Sequence, residues 1–230
     1  MTMKLATVVP FGRSLDEYIN MFSLSITDLD KTILGVADGP ASLNAEMHSS
    51  GRTVVSVDPL YSFQAQEIEC RFNEVVDDIV DQIKATPEDW IWSYHHSPEH
   101  LKDNRISVLR RFITDYKYGR NTNRYVVGEL PVLNFDDQQF QLALCSHFLF
   151  LYSDHLTYEF HRDSILEMLR VAEEVRIFPL LTLMLERSPY LRPLIAELKT
   201  NGYVVNVEQV SYELQRGGHE MLRIYREPVT

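Results

Sequence analysis

The chain has 230 residues, of which 45% are hydrophobic, and these values predict a globular protein with a substantial buried core. Its formal net charge of −11 argues against a protein that captures nucleic acid or an anionic membrane through a broad basic surface. The two cysteines are far apart and form no CxxC pair, so neither a disulfide framework nor a zinc knuckle is predicted, and a reduced cytoplasmic setting is the simplest inference.

The amino-terminal part of the chain is predicted to be helical and unexported. Residues 1–10 lack a basic leader joined to a long apolar segment, and no stretch approaches the ~20 apolar residues of a membrane span. Ser14 and Glu17 have the spacing of a capping box, and the apolar stripe that follows includes Tyr18. A helix is therefore predicted there, with a further helical turn over residues 25–28.

Residues 31–58 have the pattern of a strand, a tight turn, a helix and a second strand. The first apolar run ends at small residues and Gly39, a helix is predicted to open on Pro40, and the second strand ends at Asp58, 19 positions after Gly39. Small residues let backbone N–H groups approach a ligand, and an acid about 20 positions later can bind both ribose hydroxyls of a nucleotide. The segment predicts a nucleotide-binding βαβ unit; the alternative is a helix and strand packed together with no ligand.

The middle of the chain interrupts the alternation of strand and helix. Residues 63–84 have the helical spacing of a second crossover helix, but residues 86–123 then delay the third strand and form an insertion. Its many aromatic and imidazole side chains fit either a lid over a substrate or a helical cap whose rings are packed. His95, His96 and His100 lack the acid or cysteine that would complete a set of ligands, so no metal is predicted.

The remaining residues resume the alternation and end in a strand pair, which is typical of a single α/β domain over residues 1–230. The predicted elements are strands over 125–128 and 141–145, a helix over 153–174, a strand over 175–179, a helix over 190–200, and terminal strands over 203–214 and 219–225.

Four segments carry a resemblance to a known family. They are Gly35-Val-Ala-Asp-Gly-Pro-Ala41, Asp58, Gly128-Glu-Leu-Pro-Val-Leu-Asn-Phe-Asp-Asp-Gln-Gln-Phe-Gln141 and Cys145-Ser-His147. From about residue 31 to its end, the chain resembles the class I S-adenosylmethionine-dependent methyltransferases, and among them a bacterial subgroup with similar Gly-Pro-Ala-Ser and Cys-Ser-His segments. The resemblance implies a Rossmann-like, doubly wound, mostly parallel sheet with helices on both faces, an antiparallel carboxy-terminal strand, and the amino-terminal helix and insertion 86–123 as a cap.

The resemblance also implies S-adenosylmethionine as the cofactor. Glu129 takes the place of the acid that meets the adenine amino group, and Asp38 stands in for an acid that Gly35 replaces. The full set of implied cofactor-binding residues is Gly35, Ala37, Asp38, Gly39, Asp58, Pro59, Glu129, Leu130 and Ser146.

The methyl acceptor is predicted to be a small molecule, because the surface is acidic and the insertion aromatic. His147 is predicted to be the catalytic base at the end of the fourth strand, where ligands of open α/β sheets gather; the alternative is a histidine that only hydrogen-bonds to backbone. Tyr18, Tyr94 and Tyr152 are candidates for the acceptor site. Tyr61 is predicted either to lie beside the adenosine or to pack on the sheet.

Departures from the family pattern keep two further functions open. Ala37 and Ala41 replace glycines, and Gln141 replaces an aspartate. These changes are compatible with a non-catalytic module that binds the cofactor or a partner on the same fold. An NAD-type dinucleotide-binding oxidoreductase is the second alternative, although a GxGxxG motif is missing. The sequence predicts neither the acceptor atom nor an oligomeric state.

Overall fold

The computed structural model describes residues 9–227, which form one sheet of seven strands flanked by helices. The strands are β1 (Ile33–Val36), β2 (Val54–Val57), β3 (Tyr125–Val126), β4 (Phe140–Ser146), β5 (Ala172–Phe178), β6 (Val204–Gln209) and β7 (Glu220–Tyr225). The α-helices are α1 (Leu15–Phe22), α2 (Ile26–Leu29), α3 (Leu43–Ser49), α4 (Ala65–Ala85), α5 (Pro98–Asn121), α6 (Tyr158–Val171) and α7 (Leu191–Thr200). Short 3-10 turns occupy Pro59–Ser62, Pro87–Asp89 and Phe150–Tyr152.

The strand order confirms the predicted architecture. The order is β3-β2-β1-β4-β5-β7-β6; the pairs from β3 to β5 are parallel, and β7 runs antiparallel to both β5 and β6. The chain is therefore a Rossmann-like α/β protein with a reversed carboxy-terminal strand. Because the direction of winding changes between β1 and β4, a crevice opens at the carboxyl ends of these two strands.

Two apolar cores cover the two faces of the sheet. All four residues of β1 are buried, as expected for a parallel strand covered on both sides. Ile33 belongs to the core shared with α1, α3, α4 and α5, whereas Leu34 and Val36 belong to the core shared with α6 and α7. The described residues contain no helix that is both long and apolar enough to cross a membrane.

Several predicted boundaries are wrong. The helix after the turn begins at Leu43 rather than Pro40, because residues 39 and 40 form the turn itself. The predicted helix over 153–174 is α6, which begins after its N-cap Thr157 and runs directly into β5. Strand β3 has two residues, and β6 ends at Gln209; Tyr212 and Leu214 beyond it are buried in the core.

The segment 86–123 is mainly the long helix α5. This helix packs against α3 and β3, so it lies beside the β2–β3 edge of the sheet. The predicted crossover helix 63–84 is α4, which packs against α5 instead. Trp90, Phe112 and Tyr116 are buried, which agrees with packed rings rather than a free lid. Tyr61 is also packed, with its ring 5.7 Å from Tyr116 between centroids.

Candidate functional site

Three neighbouring pockets lie at the carboxyl ends of the central strands. The outer pocket, of about 310 Å³, is bordered by Glu129 and Leu130; the central pocket, of about 420 Å³, is bordered by Tyr18 and Asp38. The inner pocket is smaller, about 70 Å³, and lies under Trp90. Outer and central pockets share Ala37, Asp58, Pro59 and Phe148, and central and inner pockets share Val9, Phe11, Arg13 and His147.

The turn after β1 is shaped by its contacts with the end of β2. Gly39 has a φ of +53°, a left-handed conformation that glycine adopts without cost. Ala37 has a φ of +54°, which adds roughly 1 kcal/mol of strain for a residue with a Cβ. The Gly39 N–H donates to Asp58 Oδ2 at 2.8 Å, and the Tyr61 hydroxyl donates to the Gly39 carbonyl at 2.8 Å. These bonds hold the turn open beside the central pocket.

The Asp38 carboxylate turns back over β1. A Cβ on Gly35 would lie 1.9 Å from Asp38 Oδ2, so the missing side chain at Gly35 makes the space that this carboxylate fills. Tyr18 donates to Oδ1 at 2.6 Å and Ser56 donates to Oδ2 at 2.7 Å. Burial raises the pKa of Asp38 to about 6, and the nearby Asp58 acts in the same direction, although the two hydrogen bonds oppose them.

Asp58 stands between the outer and central pockets. Its Oδ1 accepts from the Leu60 N–H at 2.7 Å, and its Oδ2 accepts the bond from Gly39. Burial raises the pKa of Asp58 to about 6, because desolvation outweighs these two backbone bonds. Each carboxylate oxygen keeps further acceptor capacity beyond its single backbone bond.

The outer pocket has an apolar wall with one exposed acid at its edge. Leu130 is buried, whereas Glu129 and Pro59 are exposed. The other wall residues include Val57, Leu133 and Phe160. Such a pocket suits a flat, mostly apolar ring with a polar edge.

His147 lies where the central and inner pockets meet. Its backbone has a φ of +53°, and its N–H donates to the Phe178 carbonyl at 2.6 Å. Ser146 Oγ lies 2.8 Å from His147 Nδ1. Burial, with the charges of Arg13 and Arg105, holds the pKa of His147 well below its usual range. The imidazole is therefore neutral at neutral pH. The hydrogen bond to the Phe178 carbonyl comes from the backbone N–H of His147 and does not involve the ring nitrogens.

The three predicted acceptor-site tyrosines have different positions. Tyr18 lines the central pocket, with its hydroxyl on Asp38, and Tyr152 lines the inner pocket. Tyr94 borders none of the three pockets: its hydroxyl donates to Asp16, and its ring lies 5.0 Å from that of Tyr212. The structure therefore does not bring Tyr94 to these pockets, because the start of the insertion packs against α1 and the loop before β7.

Sequence reasoning missed the segment before α1. Phe11 and Arg13 line both the central and inner pockets. A Cβ on Gly12 would lie 2.2 Å from the Pro40 carbonyl oxygen, and the Ser42 N–H donates to the Arg13 carbonyl at 3.0 Å. The signal in the sequence was the Phe-Gly-Arg segment directly before the capping box. Its glycine, Gly12, lets the backbone of this segment contact the backbone at Pro40.

A buried ionic cluster was also missed. Glu17, on α1, accepts from two guanidinium nitrogens of Arg105, on α5, each at 2.7 Å. His95 Nε2 lies 3.2 Å and the Tyr212 hydroxyl 3.0 Å from the same carboxylate. This cluster joins α1 to the insertion behind the pockets. Over residues 9–227, no three His, Cys, Asp or Glu side chains are grouped as metal ligands.

The strand order and the pockets define an open α/β protein with a crevice at the change of winding direction. The chain is 34% identical over 225 residues to the Uncharacterized protein MJ0045 of the archaeon Methanocaldococcus jannaschii, an alignment that covers 97% of this chain and 99% of that protein. The chain therefore belongs to the family of that archaeal protein. This relative does not support the predicted bacterial subgroup. No family model matches the sequence.

Solved structures with a similar course of the chain include methyltransferases. The magnesium protoporphyrin IX methyltransferase of Synechocystis PCC 6803, crystallised with bound SAM, is 13% identical with a TM-score of 0.47, covering 93% of this chain and 78% of its own. The PH0226 protein of Pyrococcus horikoshii OT3 is 11% identical with a TM-score of 0.48, covering 92% and 91%.

Proposed function

We propose that this protein is an S-adenosylmethionine-dependent methyltransferase that acts on a small molecule. The observation that carries the proposal is the position of Asp58, whose carboxylate stands between the outer and central pockets beside the Gly39 turn. An acid at the end of β2 next to such a turn is suited to bind both hydroxyls of a ribose. The ligand would then extend to both sides of Asp58.

The two larger pockets fit the two ends of this cofactor. Leu130 supplies an apolar wall for an adenine ring in the outer pocket, and Glu129 supplies an acceptor for its amino group. The central pocket holds Asp38 and Ser146 for the methionine end. Both volumes, about 310 and 420 Å³, lie within the range of small-molecule sites, roughly 300 to 1,000 Å³.

When bound, this cofactor supplies an activated methyl group: the acceptor's lone pair bonds to the methyl carbon while the carbon–sulfur bond breaks, and sulfur keeps that electron pair. Positioning of the acceptor in line with the methyl group supplies much of the rate. For a hydroxyl acceptor, the released proton passes to His147 Nε2, which is free to accept it in the tautomer whose Nδ1–H donates to Ser146 Oγ. The lowered pKa of His147 leaves its ring neutral but makes it a weak base, so it takes the proton only as the acceptor oxygen becomes acidic on bonding to the methyl carbon.

Isothermal titration with S-adenosylmethionine, S-adenosylhomocysteine and NAD tests the proposal. We expect micromolar binding of the first two and none of NAD. Asp58→Asn should weaken binding roughly 10- to 100-fold, because a charged hydrogen-bond acceptor is lost. Asp103→Asn, an exposed aspartate on α5, is the matched control and should bind like the unaltered protein.

Four outcomes would contradict the proposal. Binding of NAD alone would indicate the dinucleotide alternative, and absence of binding by S-adenosylmethionine and S-adenosylhomocysteine would remove the cofactor. Equal affinity in Asp58→Asn and Asp103→Asn would remove Asp58 from the site. If the cofactor binds but no acceptor in a broad panel is methylated, the non-catalytic alternative replaces the enzyme.

A further inference from the structure

The inner pocket has apolar walls and a few polar groups at its rim. The apolar side chains that border it include Phe11, Ile79, Trp90, Leu101, Leu151 and Leu214. Trp90 donates its indole N–H to Thr86 Oγ1 at 3.0 Å, so its polar atom is satisfied elsewhere. A volume of about 70 Å³ is below the roughly 150 Å³ of a cavity that binds benzene, so the pocket suits a short aliphatic group.

Two polar groups of this pocket have no partner in the structure. Gln215 is only 8% exposed, and its Oε1 is buried without a hydrogen bond. A backbone bridge to Trp90 and the bond from the Ile91 N–H to the Leu214 carbonyl hold Gln215 in place. Arg13 Nε is likewise buried without a hydrogen bond. Because a buried polar group without a partner costs free energy, both groups are available to a ligand in this pocket.

Arg13 also lacks an anion. Within residues 9–227 it forms no ion pair, and its Nη1 donates only to the Phe11 carbonyl. By contrast, Arg105 has the bidentate pair with Glu17. Burial and the neighbouring Arg105 lower the pKa of Arg13 to about 10, so its guanidinium is still charged at neutral pH.

We propose that the inner pocket binds the methyl acceptor and that the acceptor is a small carboxylate with a short aliphatic chain and a hydrogen-bond donor. Arg13 binds its carboxylate, and Gln215 Oε1 accepts from its hydroxyl or amino group. The aliphatic part lies among the apolar walls, with His147 at the side that faces the central pocket. This inference rests on the proposed methyltransferase function, and it makes Arg13 and Gln215 specificity-determining residues.

The test measures binding to the full chain saturated with S-adenosylhomocysteine. The probes are the straight-chain carboxylates from acetate to hexanoate, their 2-hydroxy derivatives, and 2-hydroxybutanamide as the neutral counterpart. The variants are Arg13→Gln, Arg13→Lys and Gln215→Leu. Arg192→Gln is the control, because Arg192 is exposed on α7 and outside the three pockets. Thermal denaturation of each variant verifies folding.

We expect at least one 2-hydroxycarboxylate to bind, and the neutral amide to bind more weakly. Arg13→Gln should weaken that binding roughly 10- to 100-fold, and by a larger factor than it weakens the binding of S-adenosylhomocysteine. Arg13→Lys should retain part of the affinity, and Gln215→Leu should remove the advantage of the 2-hydroxy derivative. Arg192→Gln should match the unaltered protein.

Three results would overturn the inference while leaving the proposed function intact. The first is equal binding of every carboxylate by the unaltered protein and by Arg13→Gln, and the second is that neither protein binds any of the carboxylates. The third is a weakened affinity of Arg13→Gln for S-adenosylhomocysteine without loss of carboxylate binding, which would assign Arg13 to the cofactor. Failure of the unaltered protein to bind S-adenosylhomocysteine, measured first and separately, would instead reject the proposed function.

Discussion

Replacement of Glu17 by glutamine is expected to destabilise the protein strongly. The carboxylate is fully buried, accepts two bonds at 2.7 Å from Arg105, and accepts the Ser14 N–H at 2.9 Å as part of the capping box of α1. The variant leaves the Arg105 guanidinium buried without a counter-charge. Loss of one partner of a buried ion pair costs about 3 to 5 kcal/mol.

This loss of free energy corresponds to a measurable decrease in the melting temperature. For a chain of this length, 1 kcal/mol shifts the melting temperature by roughly 2 to 4 °C, so a decrease of about 6 to 20 °C is expected. Thermal and urea denaturation followed by circular dichroism measure it. Glu69→Gln, an exposed glutamate on α4, is the matched control and should change the free energy of unfolding by less than about 0.5 kcal/mol.

The pKa of Glu17 determines how the destabilisation by Glu17→Gln changes with pH. Arg105 and the hydrogen bond from His95 hold the pKa of Glu17 well below its usual range. The ionised carboxylate therefore stabilises the folded protein above the unfolded pKa, and this stabilisation is lost as pH falls through the folded pKa. The difference between the unaltered protein and Glu17→Gln should be large at pH 7 and smaller at pH 3. A difference below about 1 kcal/mol at pH 7, or one that is independent of pH, would refute the reasoning.

Two further predictions concern the turn after β1. Gly35→Ala should reduce the free energy of unfolding by about 1 to 3 kcal/mol in urea denaturation, because the Cβ of the new alanine meets the Asp38 carboxylate. The same change in an Asp38→Ala background should cost much less. An equal loss of stability in the two backgrounds would contradict the contact. Affinity for S-adenosylhomocysteine should rise about tenfold between pH 5 and pH 7 and then level off, because the pKa of Asp58 is raised to about 6 and the ionised form binds the ribose. Titrations at several pH values measure this rise, which Asp58→Asn should reduce rather than abolish, because Asp38 also has a pKa of about 6; an affinity of the unaltered protein that does not change over this range would contradict the role of Asp58.

The local elements of this protein follow from short-range patterns in the sequence. The capping box of Ser14 and Glu17 forms as predicted, because its partners are three residues apart. The alternation of apolar strands with amphipathic helices leads to the mostly parallel sheet, since such strands must be covered on both faces. The same pattern predicts that β2 ends at Asp58, next to the turn after β1.

The tertiary structure decided which groups meet at the crevice. Glu17 and Arg105 are 88 residues apart, and Tyr18 meets Asp38 across 20 residues. No periodicity along the chain encodes such pairs, because they depend on how α1 and α5 pack against the sheet. For the same reason Arg13 reaches two pockets although it precedes the first predicted helix, while Tyr94, in an aromatic-rich segment, packs away from them. Long-range packing sets the burial of each side chain, and burial in turn sets the charge state on which the proposed chemistry depends.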